Sequence, residues 1–192
     1  MRASFRSDET GVSLVELLIY MLLSVTVLTI IASILINSLE AQNTVRTSAE
    51  ATSTAQLAAQ SLNRGVHNAS AIEVSSPAAG VTVVRTRSLD SSAAGVWRCE
   101  AWAVAGGELR TTTSAAAIPV PTSSAEVASW LLVTEGVEPI GTNPVFSLAA
   151  DERSLAVGFT VANGSGIPVT LDTTIVSKQP IPATGKVTAP CF

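Results

Sequence analysis

A long run of apolar residues near the N-terminus constrains this chain more than any other feature. Segment 12–36 spans roughly twenty-five residues and contains Glu16 as its one formally charged residue, and an apolar helix of that length is long enough to cross a bilayer. Neither Gly nor Pro occurs between Val12 and Arg64. The sequence therefore predicts a single uninterrupted helix of about 80 Å.

The character of this helix changes near Asn37, where small and polar residues replace the apolar run. Apolar or small residues then recur every three, four or six positions and form a narrow stripe on one helical face: Leu39, Val45, Ala49, Thr52, Ala55, Ala59 and Leu62. We expect this stripe to pack on a globular head. Gly65, which follows Arg64, is the expected end of the helix.

Beyond Gly65 the pattern switches to short runs rich in Val, Ile, Thr and Trp, separated by Gly, Pro and Ser. These runs predict strands at 71–74, 81–87, 96–104, 108–113, 129–134, 145–149, 155–162 and 169–177. Segments 111–124 and 136–144 are expected to be loops, and residues 163–166 a turn. A long helix followed by antiparallel strands is an α+β arrangement.

Glu16 is unusual because its carboxylate lies inside the apolar segment. A carboxylate in hydrocarbon costs about 2.5–3.5 kcal/mol even on insertion scales, so it normally has a partner. No Lys, Arg or His lies within 12–36. Cleavage after Gly11 would create an α-amino group on Val12, which is largely protonated at neutral pH and lies one helical turn from Glu16. This pair can close within one chain or between two subunits.

The segment Gly11-Val-Ser-Leu-Val-Glu16-Leu-Leu resembles the cleavage and methylation motif of type IV pilins and type II secretion pseudopilins. The resemblance implies that a prepilin peptidase cuts after Gly11 and methylates Val12, where Phe or Met is usual. Glu16 would guide assembly. An uncleaved anchor or a secretory signal are the alternatives, but the apolar run is too long for a secretory h-region.

The resemblance also implies a division of the chain. Residues 1–11 would be the prepilin leader and 12–36 the transmembrane and filament-core helix. Residues 37–65 would be the amphipathic half of the same helix, and 66–192 a β-rich head.

Three features point towards a minor rather than a major pilin, and the first is the size of the chain. Many major pilins have Pro where this chain has Ser33, and the C-terminal run 155–174 resembles that of larger minor pilins and J-type minor pseudopilins. Such a subunit would act in adhesion, motility, DNA uptake or secretion. A major pilin, or a membrane-anchored surface binding module that is not assembled, remains the alternative.

The implied partners are other pilin subunits, the prepilin peptidase, the membrane and the pilus or secretion assembly machinery. The implied location is the inner or cytoplasmic membrane before assembly and an extracellular filament or the cell surface afterwards. The net charge of −4 and the lack of a basic tract argue against direct nucleic-acid binding.

Cys99 and Cys191 form an even pair in a segment that is expected to lie outside the cytoplasm. Exported chains meet oxidising conditions, so a disulfide is one interpretation. Two buried free thiols are the other. The spacing alone does not decide between them.

The residue inventory of the head offers no catalytic site. His67 is the single histidine, and no nucleophile–base pair or zinc-ligand cluster is evident. Asp151-Glu152 is expected to be solvated, with calcium ligation as the alternative. The tryptophans Trp97, Trp102 and Trp130 are expected to serve core packing rather than a binding surface. We therefore expect neither an enzyme nor a cofactor.

Overall fold

A computed structural model describes residues 13–90, 95–162, 168–180, 185 and 187–192 of the protein. The chain divides into two compact units at the Val45–Arg46 boundary. Helix α1 is Leu14–His67, an α-helix of 54 residues that contributes to both units.

The second unit contains nine described strands and one short helix. In chain order they are β1 (Ala71–Ala78), β2 (Val81–Leu89), β3 (Trp97–Ala105), β4 (Glu108–Ser114), α2 (Ser124–Val127), β5 (Leu131–Glu135), β6 (Val137–Pro139), β7 (Phe146–Leu148), β8 (Ser154–Val161) and β9 (Val169–Val176).

The first sheet is an antiparallel meander with the order β1-β2-β3-β4-β5. Its longest ladder pairs β2 with β3, from Val81 opposite Ala105 to Leu89 opposite Trp97. The turn between β3 and β4 is Gly106-Gly107, with φ values of 61° and 78°. A two-residue hairpin turn with positive φ at both positions favours glycine, because a Cβ is disfavoured there.

The second sheet is built around β8, which pairs antiparallel with three other strands. β9 covers one edge of β8 along its whole length, whereas β6 and β7 share the other edge end to end. The side chains of β8 alternate between buried and half-buried positions. This alternation is expected of a strand with one face on a core.

The main core lies between one face of α1 and the inner faces of both sheets. It includes Leu62 and Val66 from the helix and Trp102 from the first sheet, together with Phe146 and Phe159 from the second. These side chains are between 0% and 2% exposed. A long N-terminal helix packed on antiparallel β-structure confirms the α+β prediction.

The helical face that packs on the sheets differs from the predicted stripe. Leu39 and Val45 are 55% and 69% exposed. Ala49 and Thr52 are also exposed and Ala59 is half-buried, so only Ala55 and Leu62 were correctly predicted. The buried helical positions recur every three or four residues or as neighbours: Ala51, Ala55, Ala58, Leu62, Gly65 and Val66. Small side chains on this face let the helix approach the sheets closely.

Gly65 does not end α1, which continues to His67. A Cβ built on Gly65 would overlap the indole ring of Trp102 and would lie 2.7 Å from Oε2 of Glu100. Trp102 is fixed in place, because its Nε1 donates a hydrogen bond of 3.0 Å to Ser61 Oγ. The glycine therefore provides space for a tryptophan rather than a helix stop.

The predicted strands correspond to β1–β5 and β7–β9, with ends shifted by a few residues. Two short elements were not predicted. β6 lies in the predicted loop 136–144, whereas α2 begins at the last residue of the predicted loop 111–124 and continues into the unassigned residues 125–127. β6 ends at Pro139, which pairs with Phe159 on the shared edge of β8. Proline is tolerated at such an edge because its missing N–H is not required there. The predicted turn at 163–166 lies outside the described residues.

Candidate functional site

The apolar part of α1 exposes its side chains throughout. The large hydrophobic residues from Leu14 to Ile36 are between 48% and 77% exposed. The most apolar window of α1 has a mean hydropathy of 2.5, and none of it is buried. The helix is long and apolar enough to span a membrane, and this surface is available to lipid or to another apolar surface.

Three hydroxyl groups in this segment donate hydrogen bonds to carbonyl groups of the helix itself. Thr26 Oγ1 donates a hydrogen bond to the Leu23 carbonyl oxygen at 2.8 Å, and Thr29 Oγ1 donates to that of Val25 at 2.7 Å. Ser33 Oγ donates to the Ile30 carbonyl oxygen at 2.9 Å. Such back-bonding satisfies the hydroxyl protons of these three residues, which are therefore compatible with a membrane span.

Glu16 is the single charged side chain of this apolar segment, and it lies in the first turn of α1. Its Oε1 accepts a hydrogen bond of 3.1 Å from the hydroxyl of Tyr20, one turn along the helix. Tyr20 is the single tyrosine of the chain, and the first cationic residue after Glu16 is Arg46. The carboxylate is thus held by a neutral donor and has no cationic partner on the described part of the apolar segment.

The predicted cleavage residues Gly11 and Val12 lie outside the described residues. The described chain begins at Ser13, whose carbonyl oxygen accepts a hydrogen bond of 3.1 Å from the Leu17 amide. The backbone hydrogen bonds of α1 therefore begin at the Ser13 carbonyl oxygen.

Cys99 and Cys191 form a disulfide across a sequence separation of 92 residues. Both are 1% exposed and pack with Ala101 and Ile118. The Ile118 amide donates a hydrogen bond of 3.2 Å to the Cys191 carbonyl oxygen. The disulfide prediction is confirmed, and the alternative of two free thiols is wrong.

The tryptophans divide between packing and partial exposure. Trp102 is 2% exposed in the main core, as predicted, whereas Trp97 and Trp130 are half-buried. Trp130 packs against the cluster that the disulfide forms with Ala101 and Ile118. Trp97 lies on the guanidinium group of Arg87, whose Cζ is 3.3 Å from the ring centroid.

Asp151 serves a tight turn. Its carboxylate accepts hydrogen bonds from the Ser154 hydroxyl and from the backbone amides of Arg153 and Ser154, both at 2.9 Å. These bonds, that of the Ser154 hydroxyl first, lower the pKa of Asp151. Across the described part of the chain, no group of three or more His, Cys, Asp or Glu side chains is arranged to hold a metal ion.

A cleft of about 680 Å³ lies where α1 ends beside the adjoining ends of β2 and β3. We call it the helix-end cleft, and its polar and aromatic lining includes Arg64, Asn68, Trp97, Arg98, Glu100 and Gln179. Arg98 Nε pairs with Glu100 Oε1 at 2.6 Å. The guanidinium of Arg64 has no hydrogen-bond or ion-pair partner among the residues that the structure describes.

Arg87 lies behind this cleft and is 7% exposed. Its Nη1 donates a hydrogen bond of 2.9 Å to Ser70 Oγ, while its Nε has no hydrogen-bond partner within the described ranges. Burial lowers the pKa of Arg87. The cleft was not predicted from the sequence, because its residues come from four separate segments and none forms a recognisable motif.

The fold and the exposed apolar segment define an α+β protein whose N-terminal helix is able to anchor it in a membrane. Comparisons with protein-family models, with curated proteins and with solved structures find no significant match to the chain.

Proposed function

We propose that this chain is a prepilin-like structural subunit, a minor pilin, that is cleaved after Gly11 and assembled into a type IV pilus or pseudopilus. The observation that carries the proposal is that an apolar helix with exposed side chains contains a single carboxylate, that of Glu16. That carboxylate has no cation near it on the described part of the helix. Segment 11–18 resembles the prepilin motif, and in prepilins an apolar helix with such a carboxylate serves assembly.

The exposed apolar surface has to be covered. Each large apolar side chain removed from water contributes about 1.5–3 kcal/mol, so the many exposed residues from Leu14 to Ile36 favour lipid strongly. Lipid tails are as apolar as leucine, so hydrophobicity alone does not draw such helices together within a membrane. A helical neighbour is instead selected by side-chain packing and by a specific polar contact.

Glu16 supplies that contact. The Tyr20 hydroxyl is a neutral donor, which satisfies the carboxylate of a single chain in the membrane. A protonated α-amine on Val12 of a neighbouring subunit would form a charge-assisted hydrogen bond, roughly twice as strong as a neutral one. Exchange of the first partner for the second favours assembly and sets the axial register between neighbouring helices.

The first experiment is intact-mass measurement with N-terminal sequencing of the protein from its native membrane. The expected chain begins at an N-methylated Val12. A chain that still begins at Met1 or Arg2 would contradict prepilin processing. The protein would then be a membrane-anchored surface module that is not assembled.

The second experiment tests the role of Glu16. Glu16→Ala is expected to abolish incorporation into sheared filaments while membrane insertion remains intact, because it removes the one carboxylate of the apolar segment. Glu40→Ala is the matched control, since it removes the other carboxylate of the segment 13–45 from an exposed polar position. Normal incorporation of the Glu16→Ala chain would refute the proposed role.

A further inference from the structure

We infer that the helix-end cleft binds a saccharide that carries a carboxylate group. This site lies wholly within the second compact unit, so the inference does not depend on filament assembly. It follows from the charge of the cleft, from the support of its aromatic wall and from its size.

The charge of the cleft is positive. Among its lining residues, Arg98 and Glu100 pair with each other, which leaves Arg64 without a compensating carboxylate in the described structure. Arg87 adds a second guanidinium behind the wall, and none of the described carboxylates forms an ion pair with it. A carboxylate is the planar acceptor that a guanidinium group binds through two hydrogen bonds.

The end of α1 offsets this charge only in part, because three of its last four carbonyl groups accept hydrogen bonds. The last carbonyl groups of a helix carry a partial negative charge when they are unpaired. Here the Arg64 carbonyl accepts a hydrogen bond from Asn68 Nδ2 at 3.1 Å. The Val66 carbonyl accepts one from the Ala69 amide at 3.1 Å, and the His67 carbonyl accepts one from the Lys178 amide at 3.0 Å.

Trp97 forms an aromatic wall that is held from behind. The guanidinium of Arg87 stacks on its ring and donates a hydrogen bond to Ser70, another residue of the cleft lining. Because Arg87 is almost fully buried, the position of the indole is fixed before a ligand arrives. A fixed indole ring packs well against the apolar C–H face of a sugar ring.

The remaining polar groups match sugar hydroxyls, which both donate and accept hydrogen bonds. Gln179 lines the cleft, and its side-chain amide has no hydrogen-bond partner among the described residues. Asn68 uses its Nδ2 on the helix end, which leaves its Oδ1 as an acceptor. The volume of about 680 Å³ is that of a small-ligand site. It favours one to three sugar units over a long polymer.

The test uses the full chain in detergent micelles with ¹⁵N-labelled tryptophan. The three indole N–H signals are followed while a short oligogalacturonate is added, and the signal of Trp97 is assigned with Trp97→Phe. We expect a saturable shift of the Trp97 signal, with those of Trp102 and Trp130 unchanged. A galactose oligomer of equal length, which lacks carboxylates, is expected to cause no shift.

Two variants separate the site from general charge attraction. Arg64→Gln is expected to weaken binding about tenfold or more, since it removes a charge-assisted hydrogen bond. Arg46→Gln removes the same charge from an exposed position of α1 outside the cleft and is expected to leave affinity unchanged. Arg64 and Arg46 are both exposed, so neither change is expected to unfold the head.

Several results would overturn the inference. They are no shift of Trp97 at millimolar ligand, equal binding of the neutral oligomer, or equal loss of affinity in both arginine variants. Binding of only an acidic peptide or of only a single-stranded oligonucleotide would also overturn it. None of these results bears on cleavage after Gly11, so failure here is distinct from failure of the proposed function.

Discussion

For the replacement of Gly65 by alanine, helix propensity and side-chain packing predict opposite effects on stability. Propensity alone predicts that Gly65→Ala stabilises the head by about 1 kcal/mol, because alanine is the better helix former. The structure predicts the opposite, since the new Cβ would overlap the Trp102 ring. Overpacking of a rigid site costs up to about 3 kcal/mol, and Trp102 is pinned by its hydrogen bond to Ser61. The expected net loss is about 2 kcal/mol.

Urea unfolding of the oxidised full chain in detergent, followed by tryptophan fluorescence, measures this loss. All three tryptophans lie beyond residue 95, so the signal reports the head and not the apolar helix. With an m-value of about 2 kcal/mol/M, the midpoint of Gly65→Ala should fall by about 1 M. Asn63→Ala is the matched control, because Asn63 is exposed two residues earlier. It should gain up to about 0.7 kcal/mol.

A double-mutant cycle locates the origin of the loss. In a Trp102→Phe background the smaller ring leaves space, so the added cost of Gly65→Ala should shrink by at least about 1 kcal/mol. A Gly65→Ala head that is stabilised as much as the Asn63→Ala head would refute the packing argument. An unchanged cost in the Trp102→Phe background would show that the clash lies elsewhere.

Two further predictions concern the head. Leu62→Ala should lower its free energy of unfolding by about 2–5 kcal/mol in the same urea assay, because Leu62 is 0% exposed; a loss no larger than that of the exposed Leu57→Ala would contradict the assigned helical face. Asp151→Asn should destabilise the head at pH 7, and the difference from wild type should vanish as the pH falls. The pKa of Asp151 is lowered in the folded state, so its carboxylate stabilises the fold above the ordinary aspartate pKa of about 4. This stability is lost as the pH falls through the folded-state pKa. A difference from wild type that is unchanged at pH 2 would refute this account of Asp151.

The α+β class and most strands could be predicted because alternation and turn residues are local signals. The buried face of α1 was harder to predict. Val45 is apolar but exposed, whereas Ala51 and Ala58 are buried because their small size allows the sheets to approach. Apolar identity alone does not reveal which side of a mixed helix meets a sheet.

Helix α2 carried a signal that was missed. Ser123 is its N-cap residue and Glu126 lies three residues later, which is the capping-box pattern in the sequence, although the Ser123 side chain makes no cap hydrogen bond. The Glu126 carboxylate accepts hydrogen bonds from the amide and hydroxyl of Thr122, at 2.8 and 2.9 Å. A four-residue helix has no apolar period to detect, so only this cap pattern could have predicted it.

The two candidate sites differ in how well they can be predicted from the sequence. Glu16 was found because one charge in an apolar run is visible in the sequence itself. The helix-end cleft depends on the β2–β3 register, which places Leu89 opposite Trp97 and brings Arg87 beneath that ring. No local pattern encodes a register between strands that is fixed by the whole sheet.

The bond between Cys99 and Cys191 has a consequence for the order of biogenesis. Its two thiols are separated by 92 residues, so in the proposed export of the head Cys99 would reach the oxidising side of the membrane before its partner is delivered. During that interval β3 would hold an unpaired thiol, and the cluster that Ile118 forms with the disulfide would be incomplete. Under the proposed function, oxidation of this pair would therefore be a late step that covalently distinguishes a fully exported head from one that has stalled in transit.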